Sequence, residues 1–319
     1  MLEFMKNKIN ILFLGGAKRV SMANFFITAG KELKKEVCIF SYELDPYVPI
    51  ASVGKVIIGK KWADKDVVGH LLEIINENNI NIVIPFVDPS ISVIAQLKKK
   101  NANVFSSIPE EKLCEIMFDK VLANEWFLQY NIPVPSNNSG FPIVAKPRKG
   151  SASVGIIKLK NQSDLDWFLA NHKQEDYLIQ QWIDAHEYSV DAYVSEQSGI
   201  LSVVPRRRLE VAGGEATKSI TEKNIQIIDL SKKILSYGRF IGPVTLQFLK
   251  EKNSDKVYLM EINTRLGGGV VTSIEAGANC CMMLLNDYMN IAQKLCEDWK
   301  ENLIMTRTFK EYYFYANNN

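Results

Sequence analysis

Glu261 and Asn263 are separated by one apolar residue in the run Val257-Tyr-Leu-Met-Glu-Ile-Asn-Thr-Arg-Leu-Gly-Gly-Gly269. Alternation along a β-strand puts these two oxygen-bearing side chains on one face and Ile262 on the other. An earlier apolar run, Val244 to Leu249, carries Gln247, and a turn around Asn253 to Asp255 folds it back beside Glu261 as a third oxygen donor. Oxygen ligands on a rigid sheet suit magnesium, or manganese in its place, with phosphates and waters completing the shell. Arg265 follows on the same face with a planar fork that meets phosphate bidentately. The three glycines 267–269 then allow close backbone approach. A solvated polar sheet face would account for Glu261 and Asn263, but not for a strand that opens into arginine and three glycines.

A second segment is built for phosphate. In Phe141-Pro-Ile-Val-Ala-Lys-Pro-Arg-Lys-Gly-Ser-Ala-Ser-Val-Gly155 a strand delivers Lys146 to a loop with Gly150 and Gly155 at its ends and Ser151 and Ser153 within it. Small residues let backbone N–H groups approach phosphate oxygens, and the lysine adds a point charge. It is not a Walker A loop, because no Gly-Lys-Ser/Thr opens a helix. An exposed hairpin with a solvated lysine is the plain alternative. The glycines Gly15 and Gly16 are a weaker signal: Gly-Gly-Ala-Lys-Arg-Val does not fit the dinucleotide pattern, and leaves tight turn geometry or a small-substrate contact.

These residues need a scaffold, and the chain supplies one in blocks. Apolar runs at Ile9–Leu14, Val37–Tyr42, Val56–Ile58, Ile80–Phe86 and from Val104 alternate with helical spacing such as Val67, Leu71, Leu72 and Ile75. That is βαβ patterning and predicts a parallel, Rossmann-like layer over residues 1–110. Glu110 to Tyr130 reads as one helix stopped by Pro133 and Pro135. Strands at Pro142–Val144, Ile156–Leu159 and Tyr177–Ile183 with a helix at Asp164–Ala170 form an α+β block over 111–187. Strands at Tyr188–Val194, Ile200–Val204, Val244–Leu249 and Val257–Ile262 predict a larger antiparallel sheet over 188–319. Helices near Asn224–Tyr237 and Cys281–Leu295 would cover it.

Composition narrows the function classes. Lys plus Arg number 38 against 36 acids, a net charge of +2, so nothing favours nucleic acid or a membrane surface. Five cysteines without a CxxC pair point to reduced thiols, and Cys280-Cys281 to buried packing. Three histidines without ligand spacing make zinc a poor fit. No run approaches the roughly 20 apolar residues that span a bilayer. Met1 to Asn10 lacks a signal-peptide core, so a cytoplasmic protein is expected.

Together the two motif segments resemble the ATP-grasp superfamily, most closely its carbamoyl-phosphate-synthetase-like branch. Residues 1–110, including Ile82-Val-Ile-Pro-Phe-Val-Asp-Pro89, look like the pre-ATP-grasp domain. Asp119-Lys120 before Asn131-Ile-Pro-Val-Pro135 is similar to the family's helix and turn. Glu261-Ile-Asn-Thr-Arg265 matches the family's E-x-N-x-R motif. The resemblance implies a two-lobed ATP-grasp fold and assigns roles by position. Lys120 and Lys146 would bind ATP phosphates under the loop Gly150, Ser151, Ser153 and Gly155. The linker Gln180, Gln181, Trp182 and Ile183 would read adenine, and Glu187 would take the ribose. Gln247, Glu261 and Asn263 would hold the metal, while Arg265 with Lys146 would stabilise the transferring phosphoryl group.

Two positions depart from the pattern: Gln180-Gln181 replaces a glutamate in the linker, and Gln247 replaces an acid. The stretch Val204 to Lys218 resembles the acceptor-side loop, with Arg206, Arg208 and Lys218 as carboxylate ligands; an exposed basic strand end is the alternative. The expected activity is an ATP- and magnesium-dependent ligase joining a small carboxylate to an amine or thiol, which needs no nucleophilic side chain because phosphoryl transfer needs alignment and charge neutralisation. The alternatives are a carbamate- or carboxyphosphate-forming subunit of a larger synthetase and a catalytically idle ATP-binding protein. A homodimer is expected by family resemblance.

Overall fold

The computed structural model describes residues 7–100, 104–137, 140–150 and 154–315. Its first layer is a parallel sheet of order β3-β2-β1-β4, from β1 (Lys8–Leu14), β2 (Glu36–Glu43), β3 (Lys55–Ile58) and β4 (Ile82–Pro85). Ile11, Leu12, Phe13 and Leu14 of β1 are all fully buried, as a strand covered on both faces by helices requires. The helices are α1 (Val20–Glu32), α2 (Val67–Glu77) and α3 (Asp88–Lys100). The expected fifth strand reduces to one bridge, Phe105 to Ile82.

The stretch Glu110 to Tyr130 is two helices, α4 (Glu111–Phe118) and α5 (Lys120–Gln129), rather than one. Asp119 breaks it: its backbone is extended and its carboxylate caps α5 by accepting from the N–H groups of Val121 and Leu122. A small three-stranded sheet of order β6-β5-β7 follows, from β5 (Ile143–Pro147), β6 (Ile157–Leu159) and β7 (Tyr177–Gln181), with α6 (Gln162–Asn171) against it. Ile143, Ala145, Leu159 and Phe168 close its separate core.

The third unit is a six-stranded antiparallel sheet of order β12-β11-β8-β9-β10-β13. Its strands are β8 (Ala185–Ser195), β9 (Gly199–Ala212), β10 (Glu215–Thr221), β11 (Gly242–Glu251), β12 (Val257–Asn263) and β13 (Ile304–Thr306). Two strands, β10 and β13, go beyond the expected four. The helix α7 (Ile225–Tyr237) packs beneath β9 and short α8 (Val271–Glu275) beside β10. The helix expected over Cys281–Leu295 is α9 (Cys280–Tyr288); it stops because Asn290 adopts a positive φ of 56°. Cys280 and Cys281 are buried in the core that α9 shares with α1. No helix among the described residues is long and apolar enough to cross a membrane.

Candidate functional site

The metal motif sits where strand pairing places it. In the β11–β12 ladder Gln247 lies opposite Glu261 and Thr245 opposite Asn263. Glu261 Oε1 accepts from Gln247 Nε2 at 2.5 Å and from Asn263 Nδ2 at 2.9 Å, so all three side chains converge on one point. An amide that donates in one orientation presents its carbonyl oxygen after a flip. The set then offers one carboxylate and two amide oxygens, a hard-oxygen donor set that fits magnesium completed by phosphates. Among the described residues no three His, Cys, Asp or Glu side chains cluster, so an all-protein metal cage is not what this sheet builds.

Two clefts open on either side of this point. The first, about 240 Å³, is lined by Lys120, Lys146, Gly150, Gln181, Trp182, Ile183 and Glu187, with Arg208, Gly214, Gln247 and Glu261 on its inner wall. The second, about 300 Å³, is lined by Arg19, Asp88, Glu215, Arg265 and the glycines 267–269, and shares Arg208, Gly214, Gln247 and Glu261 with the first. Gln247 and Glu261 therefore stand in the wall between a linker-and-lysine cleft and an arginine-rich one, with Asn263 on the arginine side.

The lysines of the first cleft rest on neutral oxygens. Lys120 Nζ donates to Gly150 O at 2.8 Å and Lys146 Nζ to Gln180 Oε1 at 3.2 Å. Burial pushes the Lys146 ammonium below the usual lysine range and Lys120 adds to this, while Glu261 and Glu187 oppose it. Lys158 stands 3.8 Å over the Trp182 ring on the linker. The amides of Gln181 and Trp182 already donate to Ser136 O and Pro142 O, so Ile183 carries the linker N–H with no backbone acceptor among the described residues.

Gln180 is the first of the four linker residues. It is buried beneath the cleft rather than lining it, donating to Asn124 Oδ1 and Pro135 O while its own oxygen orients Lys146. On β7 the buried Leu178 and Gln180 share the face that β5 presents with Val144 and Lys146, opposite the face of Tyr177 and Ile179 that packs into the small core. Ser151 and Ser153 lie outside the described residues, and Gly155 sits beside Pro147 rather than in the cleft lining.

In the second cleft every arginine meets a carboxylate. Asp88 takes Arg265 at 2.5 and 3.1 Å, and Asp191 takes Arg206 at 2.6 and 3.1 Å. Glu187 takes Arg208 at 3.0 Å. Glu215 lies between Arg19 and Arg307; burial alone would raise its pKa, but the two arginines hold it below the usual carboxylate range. Burial likewise opposes the charge of Arg265, and Asp88 more than restores it. The glycine run is tight for a reason visible here. A Cβ on Gly269 would stand 2.4 Å from Arg206 Nη1, and one on Gly268 would stand 2.9 Å from the Glu215 carboxyl carbon.

Of the three expected acceptor-side residues, Arg206 and Arg208 line this cleft and Lys218 does not. Lys218 lies toward Glu210 at 3.7 Å, at a register irregularity where β10 slips against β9. Sequence reading missed Asp88 and Asp191 as partners of the site. Each had a signal: Asp88 ends an apolar strand just before a proline, and Asp191 stands between Val190 and Ala192 in a buried strand, where an acid needs a cation.

Comparison with known proteins bears on this arrangement. The biotin carboxylase domain of 2-oxoglutarate carboxylase from Hydrogenobacter thermophilus superposes with a TM-score of 0.73 at 16% identity, over 92% of this chain and 73% of that one. The chain carries the ATP-grasp fold. The L-amino acid ligase of Bacillus licheniformis matches with a TM-score of 0.69 at 16% identity, over 89% of this chain and 75% of that one. The family described as "ATP-grasp in the biosynthetic pathway with Ter operon" matches residues 173–309 of this chain. A D-alanine–D-alanine ligase of Petrotoga mobilis is 24% identical over 170 residues, 48% of this chain and 56% of that ligase. One from Francisella philomiragia is 22% identical over 177 residues, 49% of this chain and 59% of that ligase. The chain thus spans little more than half the length of these relatives.

Proposed function

We propose that this protein is an ATP- and magnesium-dependent ligase that activates a small carboxylate as an acyl phosphate for attack by an amine or thiol. The observation that carries the reading is the shared wall: Gln247 and Glu261 line both the lysine cleft and the arginine cleft. A nucleotide in the first cleft, with its γ-phosphate at this wall, faces an acid in the second. The ligase relatives and the ATP-grasp neighbours support the same class.

Lys120 and Lys146 bind the phosphates, the backbone of Ile183 reads adenine, and Glu187 takes the ribose. Gln247, Glu261 and Asn263 hold magnesium, which supplies neutralisation of phosphate charge when bound. A carboxylate oxygen of the acid attacks the γ-phosphorus, the bond to the β-phosphate oxygen breaks, and ADP leaves. Arg265 and Lys146 donate to the oxygens of the group in flight, so alignment and electrostatics do the catalysis. The amine then attacks the acyl carbon, loses a proton, and phosphate departs carrying one oxygen from the acid.

Arg206 and Arg208 form the acid-side wall, and the E-x-N-x-R match supports the carbamoyl-phosphate-synthetase-like branch. Residues 1–110, 111–187 and 188–319 serve as pre-ATP-grasp layer, small lobe and metal-bearing lobe of a cytoplasmic, homodimeric enzyme. ADP release screened against a panel of acids and amines tests the reading. Release is expected only with one acid–amine pair and is lost in Glu261→Ala. Release at the wild-type rate by that variant, or dependence on bicarbonate alone, would overturn it.

A further inference from the structure

Arg265 reaches its site held by a residue from another layer. Asp88 opens α3 at the end of β4 in the parallel sheet, 177 residues away in sequence. Its two oxygens take Arg265 Nε at 2.5 Å and Nη2 at 3.1 Å, and both side chains are 15% exposed or less. The remaining nitrogen, Nη1, has only a long contact of 3.4 Å to Leu266 O. The backbone of Arg265 is pinned as well, its carbonyl accepting from Thr245 Oγ1 at 3.2 Å. Asp88 and Arg265 line the second cleft with Glu261 and Asn263, and Asp88 is absent from the lining of the nucleotide cleft.

The same device recurs across the cleft. Asp191 takes Nε and Nη2 of Arg206, Ser273 donates to Asp191 at 2.6 Å, and Nη1 is left without a partner. There the free nitrogen is sealed against Gly269. At Arg265 the corresponding nitrogen has the 3.4 Å contact to Leu266 O, and the side chain lines the cleft. A guanidinium fixed at two nitrogens by a carboxylate has little torsional freedom, and its third nitrogen becomes a directed donor. The pair is neutral as a unit, so what it offers a reacting phosphoryl group is direction more than net charge.

We propose that Asp88 is a positioning residue for the phosphoryl transfer, acting through Arg265, and that the parallel layer thereby sets the geometry of the reaction. The inference rests on the ligase reading. It is tested by a double-mutant cycle of Asp88→Ala and Arg265→Ala, read as kcat for ADP release with the acid found in the screen, beside KM for ATP and thermal unfolding. Each single variant is expected to lose about 10²–10³-fold in kcat. The double variant should lose no more than the worse single one, because the two residues act as a unit. KM for ATP should stay within about twofold, and Asp88→Glu should recover part of the loss. Fold losses that multiply in the double variant, or an Asp88→Ala kcat within twofold of wild type, would overturn the proposal. Should either alanine variant fail to fold, Asp88→Asn and Arg265→Lys enter the cycle under the same criteria. A wild type that releases no ADP with any acid removes the ligase reading and this inference together; a wild type that turns over with an additive cycle removes the inference alone.

Discussion

The two clefts carry charge in opposite ways. In the first cleft Lys120 and Lys146 lean on a backbone carbonyl and a glutamine oxygen, and among the described residues neither is in an ion pair. Glu261 and Glu187 act on Lys146 only through space, without an ion-pair contact. In the second cleft Arg19, Arg206, Arg208 and Arg265 each meet a carboxylate. A polyanion with several charges is met by point charge; a single carboxylate is met by rigid, neutralised forks that give direction. The difference lies in side-chain chemistry and in scaffold: the lysines come from α5 and the small sheet, whereas Arg206 and Arg208 come from β9 of the large sheet.

Breaking a buried fork should have the largest effect. Asp191→Ala leaves Arg206, 2% exposed, without its counter-charge, and about 3–5 kcal/mol of stability should be lost in urea unfolding. A loss below about 1 kcal/mol would mean that Arg206 finds water and is not locked. On the other side, Lys146→Met should weaken Mg-ATP binding about 10–100-fold, the worth of one charged hydrogen bond, and leave stability close to wild type. Calorimetric titration of the nucleotide checks this, and the contrast between the two variants sharpens the comparison.

Gly269→Ala comes next. The Arg206 guanidinium beside it cannot swing away while Asp191 holds two of its nitrogens, so the added methyl should cost about 1–3 kcal/mol. The smallest effect is a pH dependence. Burial lowers the pKa of Lys146 from the ordinary 10.5, so its ammonium is lost before pH reaches 10.5. Mg-ATP affinity should therefore fall as pH rises through the lowered value, and Lys146→Arg should flatten that fall. A wild-type affinity constant up to pH 10.5 would show that Lys146 is not the group that meets phosphate.

How much of this was legible in the sequence follows from the range of each interaction. Strand alternation is local, so Glu261 and Asn263 could be placed on one face, and the register confirms Gln247 opposite Glu261. The parallel layer was legible because fully buried strands read as unbroken apolar runs. The strands β10 and β13 were not: Glu215 to Thr221 alternates polar residues on an irregular ladder, and β13 has three residues. The break at Asp119 hid inside a helical pattern because a cap is one residue acting on its neighbours. The pairs Asp88–Arg265 and Ser273–Asp191 join positions 177 and 82 residues apart, and only tertiary packing creates them. Gln180 was placed on the linker strand, but its contact with Lys146 joins positions 34 residues apart and is created only by strand pairing.

Transfer of an oxygen atom tests the central claim most directly. With the acid identified by the ADP-release screen and labelled with ¹⁸O in its carboxylate, the phosphate released by the wild-type protein should contain one labelled oxygen per turnover, since the acyl phosphate forms through that atom. Unlabelled phosphate released at the same rate as ADP would contradict the account, because the γ-phosphoryl group would then have gone to water and not to the acid.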